Sequence, residues 1–259
     1  MSESILCERC EKNNDIVIIT FNKPEKLNAL SVEDLQELDT LVEQLHEDKS
    51  CRVIIITGRG RGFIAGADIS KLKTASKEHA MMYSRWAKRL YEKIERGRQT
   101  VIAAVNGYAL GGGLELAISC DIRVAAESAK LGLTETSLGS IPGSCGTLRL
   151  PRLIGLGYAK EMLATAEKIP AARAAEIGLV NHVVPDDELM EYPLALAERI
   201  ACNSTTAIGI GKRLMTDGLE MDIHRAMELE TLMIGANYGG HDQREGMAAF
   251  MEKRKPVFE

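Results

Sequence analysis

The chain has 259 residues, 45% of them hydrophobic but only 4% aromatic, so one large domain with an aliphatic core is within reach. A net charge of -5, no long lysine and arginine run and few stacking aromatics argue against nucleic acid or an anionic membrane as the main partner. No apolar stretch is long enough to span a bilayer, and residues 1–13 contain no apolar run of signal-peptide length, so the cytoplasm is the expected compartment.

The cysteines are Cys7, Cys10, Cys51, Cys120, Cys145 and Cys202. Cys7-x-x-Cys10 could be half a zinc site, but no second pair follows and the histidines, at 46, 79, 182, 224 and 241, are scattered. Reduced thiols and no metal are expected.

In chain order, residues 15–21 (DIVIITF) read as a β-branched strand that Asn22-Lys23-Pro24 terminates. Ser31 with Asp34 three places on is a helix-start signal. Val32, Leu35, Leu38, Leu41, Val42 and Leu45 then recur at helical spacing, predicting an amphipathic helix over 32–48. Residues 52–57 (RVIIIT) are a continuous apolar run, as in a strand covered on both faces. The loop Gly58 to Ile69 follows; it reads either as a flexible connection or as a ligand loop. Position 63 is Phe, which breaks the dinucleotide glycine spacing, and the loop lacks the Gly-Lys-Ser/Thr of a P-loop.

Residues 78–96 predict a helix burying Met81, Met82, Trp86, Leu90 and Ile94. The stretch 101–121 (VIAAVNGYALGGGLELAISCD) predicts a strand at 101–105, a turn at Asn106-Gly107, and a helix over 112–119. A strand at 121–126 is next. The segment 131–146 is rich in Gly, Ser and Thr and carries Glu135. Short helices are predicted at 146–153, 157–165 and 171–177, and a last strand at 179–184. Beyond Pro193 only helices are predicted, near 193–202, 205–217 and 222–238, with Asp242 and Glu245 capping a final one through Lys253. The expected class is α/β, with a core over 1–203 and a helical C-terminal region over 204–259.

The chemistry concentrates in three places. Gly111, Gly112 and Gly113 let a backbone approach something closely, and a helix starting near Gly112 presents free N–H groups. If the Ala67 N–H converges on the same point, the two would form a hole for an oxygen that gains negative charge. Glu115 stands among Leu114, Leu116, Ala117 and Ile118, where an unpaired carboxylate is costly. Glu135 could be a solvated loop residue, and Glu115 could be held in a structural salt bridge. Together, around one water, they would be an acid–base pair with one raised pKa, as water addition to a double bond requires.

These residues carry a resemblance. Asn22-Lys23-Pro24 with Asn28-Ala29-Leu30, Ala65-Gly66-Ala67-Asp68-Ile69, Ala103-Ala104-Val105-Asn106-Gly107, Gly111 to Leu116, Cys120-Asp121-Ile122-Arg123, Leu138-Gly139, Ile141-Pro142-Gly143, Gly178-Leu179-Val180 and Phe250 to Lys255 resemble the crotonase, or enoyl-CoA hydratase, superfamily over nearly the whole chain. The resemblance implies a ββα spiral core and trimers built through the C-terminal helices, commonly paired into hexamers. It implies an acyl-CoA thioester as substrate, with no separate cofactor and its carbonyl in the hole of Ala67 and Gly112. Lys26, Leu27, Ala65, Asp68, Ile69 and Gly111 would line the CoA and acyl site, and Lys253 would reach CoA phosphates across a subunit contact. Glu115 would act on the water and Glu135 would supply the proton at Cα.

There are three departures from the superfamily pattern: Thr134 where proline is frequent, Cys145-Gly146-Thr147-Leu148 after the Pro-Gly, and Ile234 where an aromatic is frequent, with Tyr238 one turn on; the first two adjoin the acyl pocket and bear on substrate identity. Arg59 and Arg61 are expected to be solvated. A double-bond isomerase of the same superfamily is the nearest rival, and the presence of both glutamates favours the hydratase. RNA binding through a lysine-rich helix, known in a relative, is disfavoured because residues 32–48 carry seven acids and no lysine.

Overall fold

A computed structural model describes residues 4–259. Its strands are β1 (Ile5–Cys10), β2 (Asn13–Phe21), β3 (Val53–Gly58), β4 (Gly62–Ile64), β5 (Thr100–Val105), β6 (Tyr108–Leu110), β7 (Ile122–Ala126), β8 (Lys130–Gly132), β9 (Ile169–Pro170) and β10 (His182–Val184). Its α-helices are α1 (Val32–Glu47), α2 (Ile69–Leu72), α3 (Lys77–Arg96), α4 (Gly112–Ala117), α5 (Gly146–Ile154), α6 (Leu156–Thr165), α7 (Ala171–Glu176), α8 (Glu191–Ala201), α9 (Thr205–Gly218), α10 (Ile223–Asn237) and α11 (His241–Glu252).

Two sheets share the strands. The larger runs β1-β2-β3-β5-β7-β10, parallel except for the β1–β2 hairpin, and the smaller runs β4-β6-β8-β9. Three successive units repeat one pattern. A long strand of the large sheet (β3, β5, β7) is followed by a short strand of the small sheet (β4, β6, β8), and then by helix. This is the ββα spiral that the resemblance implies. Within the small sheet Ile64 is opposite Ala109 and Leu110 is opposite Gly132, both in parallel register. The three chain segments that leave β4, β6 and β8 therefore emerge side by side.

The apolar runs fill the centre. Every residue of β3 and of β5 is buried, which explains their unbroken hydrophobic sequences. The helix at 32–48 starts as expected: the Ser31 side chain accepts from the Asp34 N–H and the Asp34 carboxylate accepts from the Ser31 N–H. Asp34, 2% exposed, also binds the Lys23 ammonium, so the cap ties the end of β2 to α1.

The structure departs from the sequence expectations at several points. β1 lies ahead of the first predicted strand, and Cys7 and Cys10 are both within it. The loop at 58–69 is no flexible connection: Gly62–Ile64 is a buried strand. Helix α3 buries Ala87, Leu90, Tyr91 and Ile94, while Met81 and Met82 are exposed, so the predicted face fails in its first two turns. Asp242 and Glu245 do not cap α11, whose N-cap is Gly240. Asp242 instead accepts from the Ser204 hydroxyl (2.5 Å), and Glu245 binds Arg254 and the Val257 N–H. Both tether chain segments distant in sequence, which a local spacing rule does not anticipate.

Helices α9 to α11 contain the last regular structure, and α9 is fastened to the core by Lys212, whose ammonium reaches Asp121 (2.6 Å) and the Gln99 carbonyl (2.5 Å). No helix among the described residues is long and apolar enough to cross a membrane.

The Ser31–Asp34–Lys23 cluster yields a graded expectation. Ser31→Ala loses one cap hydrogen bond and should cost about 1 kcal/mol. Asp34→Ala loses the cap and strands the Lys23 ammonium, and should cost about 3 kcal/mol. Urea unfolding of both variants measures the order; equal costs would show that the ion pair contributes nothing.

Candidate active site

The segments leaving β4, β6 and β8 each deliver one part of a single site. After β4, the chain crosses Leu30: the Leu30 N–H donates to Gly66 O (2.8 Å) and the Asp68 N–H donates to Leu30 O (2.7 Å). Backbone groups alternate in an extended segment, so the intervening Ala67 N–H faces the other way. After β6, Gly112 is the first residue of α4, and the N–H groups of a first helical turn have no partner within the helix. Neither the Ala67 nor the Gly112 N–H has a hydrogen-bond partner among the described residues. The two backbones adjoin: a Cβ placed on Gly112 would stand 3.9 Å from Ala67 N. Both residues are partly accessible.

The three consecutive glycines serve three different needs. Gly111 has φ of +50° and lies so close to Glu135 that a Cβ would come within 2.9 Å of Oε1. A Cβ on Gly112 would meet only ordinary contacts, with Ala67 N and Leu30 Cδ1 at 3.9 Å. Gly113 packs against β4, where a Cβ would be 2.0 Å from Ile64 O. Close helix packing therefore accounts for the third glycine, while the first two border the site. Tyr91 of α3, fully buried, donates its hydroxyl to Gly112 O (3.2 Å) and steadies the start of α4.

Glu115 is one turn into α4 and 2% exposed. Among the described residues no cation forms a salt bridge with it. Its Oε1 accepts two backbone N–H groups, from Ser144 and Gly146, each at 2.7 Å. Gly146 has to be glycine for this, since a Cβ would lie 2.9 Å from Glu115 Cγ and Oε1. Burial raises the Glu115 pKa, and the two backbone donors, the Ser144 hydroxyl and the more distant Arg149 oppose that rise. The salt-bridge reading of Glu115 fails.

Glu135 opens a one-turn 3₁₀ helix (Glu135–Leu138) directly after β8. Thr136 anchors that turn, its hydroxyl donating to Leu163 O of α6 (2.7 Å). Glu135 is half-buried, and its Oε2 is buried without a hydrogen-bond partner among the described residues. Burial pushes its pKa up to about 7, and the negative charge of Glu115 adds to the shift. Its position excludes the reading of a solvated loop residue.

The remaining candidates divide. Leu27, in the left-handed region (φ 48°), accepts the Ala65 N–H at its carbonyl (3.0 Å), so residues 26–27 border the 65–68 segment. Lys26 is exposed beside them, and Ile69 is 56% exposed at the start of α2. Asp68 is the N-cap of α2 and accepts from Ser70. Arg59 is exposed and donates to Asn22 Oδ1 (3.2 Å); Arg61 is exposed as well. Lys253 is exposed at the C-cap of α11.

Two contributors entered the sequence analysis only as motif positions, with no structural role assigned. Asn28, fully buried with φ of 59°, accepts the Lys23 N–H and donates to the carbonyls of Arg59 and Gly62, and so joins three loops behind the site. Its signal was available, since asparagine tolerates left-handed backbone and bonds main chain locally. Cys145, also left-handed (φ 75°), sits between the two N–H donors to Glu115, and nothing in its sequence context reveals this.

A family profile described as enoyl-CoA hydratase/isomerase matches residues 11–259. The chain is 42% identical to the crotonyl-CoA hydratase of Syntrophomonas wolfei, over 99% of this chain and 98% of that one. It is 40% identical to the short-chain-enoyl-CoA hydratase of Clostridium acetobutylicum, over 95% and 94%. The crystal structure of enoyl-CoA hydratase from Bacillus anthracis superposes with a TM-score of 0.93 at 41% identity, covering 98% of each chain. The chain belongs to the enoyl-CoA hydratase/isomerase family.

The raised Glu135 pKa has a consequence for stability. The folded protein holds a proton there up to about pH 7, which the unfolded chain releases near the ordinary value of 4.5. Glu135 therefore removes stability as pH rises through that window. Glu135→Gln should match the wild type at pH 4 and exceed it by about 2 kcal/mol at pH 8, a value reduced for the partial solvent access of the side chain. Denaturant titrations at the two pH values test this; equal stability at pH 8 would contradict a raised pKa.

Proposed function

We propose that this protein is an enoyl-CoA hydratase that adds water across the 2,3 double bond of an acyl-CoA thioester, with Glu115 and Glu135 as its acid–base pair. The observation that carries the reading is one buried and one half-buried carboxylate, in unlike environments, beside two unpartnered backbone N–H groups. The thioester carbonyl binds at the N–H groups of Ala67 and Gly112. As the double bond is attacked, negative charge moves onto that oxygen, and donors already fixed in place stabilise it without reorganisation.

The two glutamates differ in a way that suits two roles. Glu115 has its charge supported by two N–H groups, so it accepts a proton from the water as the oxygen attacks C3. Glu135, neutral up to about pH 7, delivers a proton to C2. The product is the 3-hydroxyacyl thioester, and a proton passes back from Glu115 to Glu135 before the next cycle. The pair titrates as a unit, so the division of labour describes one microstate.

Coenzyme A enters as part of the substrate, and this chemistry calls for no other cofactor. Lys26, Leu27, Ala65, Asp68, Ile69 and Gly111 border the acyl-CoA path. Residues 1–203 form the catalytic core in this reading, and residues 204–259 serve assembly, with Lys253 completing the CoA site of a neighbouring subunit. Supporting this, α10 buries none of its residues, and Leu232, Ile234, Tyr238, Phe250 and Met251 are all exposed on the last two helices and the link between them. Such a surface fits a trimer or a pair of trimers in the cytoplasm.

The decisive assay follows the loss of enoyl thioester absorbance with short, branched and cyclic enoyl-CoA substrates. Glu115→Gln and Glu135→Gln should each lower kcat by about 10²–10⁴-fold. Retained hydration in either variant would remove that residue from the pair, whereas double-bond migration without hydration would favour the isomerase. Sedimentation should give the mass of three or six chains, and a monomer would sink the assembly role of residues 204–259.

A further inference from the structure

Glu115 is held by a loop with little internal support. Residues 140–144 form neither helix nor strand, yet the Ser144 N–H is one of the two backbone donors to the carboxylate. The carbonyl of Gly143 belongs to the same peptide unit as that N–H. It accepts a hydrogen bond from the Ser84 hydroxyl at 2.6 Å. Ser84 is on α3, a long helix whose other end is anchored in the core through Leu90, Tyr91 and Ile94.

From this geometry we propose that Ser84 is a positioning residue for hydration: through the Gly143–Ser144 peptide it fixes and strengthens the hydrogen bond that holds Glu115. The inference rests on the assignment of Glu115 as the group that handles the water. The chain of contacts is continuous. The serine O–H donates to the carbonyl, the carbonyl is conjugated with the N–H, and the N–H donates to Glu115 Oε1. A hydrogen bond to the carbonyl oxygen polarises the amide and makes its N–H a better donor. The peptide plane is also prevented from turning, so the N–H stays aimed at the carboxylate.

The second donor, Gly146 N–H, is located by a separate contact with the same helix. Arg149, one turn into α5, makes a two-pronged pair with Glu95 of α3 (2.7 and 3.3 Å). The two attachments are independent, so Ser84 can be altered without releasing α5. Loss of its hydroxyl removes none of the titratable groups around Glu115, namely Glu135, Arg149 and the buried, neutral phenols of Tyr83 and Tyr91. Any change in the titration of Glu115 then reports on the peptide relay.

The test compares Ser84→Ala, Ser84→Thr and Glu115→Gln in the intact oligomer. Ser84→Ala should lower kcat for a short enoyl-CoA about fivefold to tenfold, the loss of one well-placed hydrogen bond, with KM changed less than about twofold. The acid limb of its kcat–pH profile should move to higher pH, because a carboxylate with weaker donors protonates more readily. Ser84→Thr keeps the hydroxyl and should restore both. A wild-type kcat and acid limb in Ser84→Ala would overturn the relay. So would a lower kcat that tracks thermal stability while the limb stays in place, or a loss that Ser84→Thr shares. Retained hydration in Glu115→Gln would instead defeat the assignment of Glu115, a result distinct from failure of the relay.

Discussion

The parallel register of β4, β6 and β8 is the constraint on which the site depends. Each strand is three residues long and has little stability of its own. They exist because β3, β5 and β7 are already aligned in the large sheet and each hands its chain over after a short link. Once Ile64 is set opposite Ala109 and Leu110 opposite Gly132, Ala67, Gly112 and Glu135 lie two or three residues beyond three adjacent strand ends. A slip of one residue would turn side chains to the other face; in the β4–β6 pairing it would separate the two N–H groups, and in the β6–β8 pairing it would displace Glu135. Gly113 protects the register from behind, since only a residue without Cβ lets α4 pack on β4.

The electrostatics of the site follow from how well each carboxylate is supported. Both glutamates are raised by burial, but Glu115 has two N–H groups on one oxygen and Glu135 has a buried oxygen with no described partner. The more deeply buried group is thus the better supported one, and the repulsion between them falls on the other. Folding pays for this arrangement in the left-handed backbone of Cys145 and in an unsatisfied carboxylate oxygen, costs that are tolerated where function needs a particular geometry. Helix α3 contributes through Tyr91, Ser84 and Glu95, which touch α4, the 140–144 segment and α5 in turn.

Away from the site the same preference for long-range contacts recurs. Lys212 bridges α9 to Asp121 and the Gln99 carbonyl, and Asp242 joins the start of α9 to the chain end through Ser204 and the Glu259 N–H. Among the described residues, helix α10 has no such ties. Its apolar side chains are exposed in the single chain, which is the observation behind the proposal that this region associates with other copies.

The sequence by itself determined the elements whose signals are local. The unbroken apolar runs of β3 and β5, the Ser31–Asp34 cap, the periodicity of α1 and the positions of the C-terminal helices were all legible, because burial on both faces, capping and helical spacing are written in adjacent residues. It also marked Glu115, since a carboxylate in an apolar helix needs an explanation, and the family motifs pointed to Ala67, Gly112 and Glu135. Only the tertiary structure decided what those residues do to one another. β4, β6 and β8 are too short to carry a periodic signal and form only by pairing with strands about 20 to 45 residues away. The donors to Glu115 are backbone groups from about 30 positions along the chain, which no side-chain pattern announces. Likewise, the face of α3 and the work of Asp242 and Glu245 were misread from spacing, because their partners come from other elements. Local order in this protein is a property of neighbouring residues; the acid–base asymmetry is a property of distances that exist only once the two sheets have stacked.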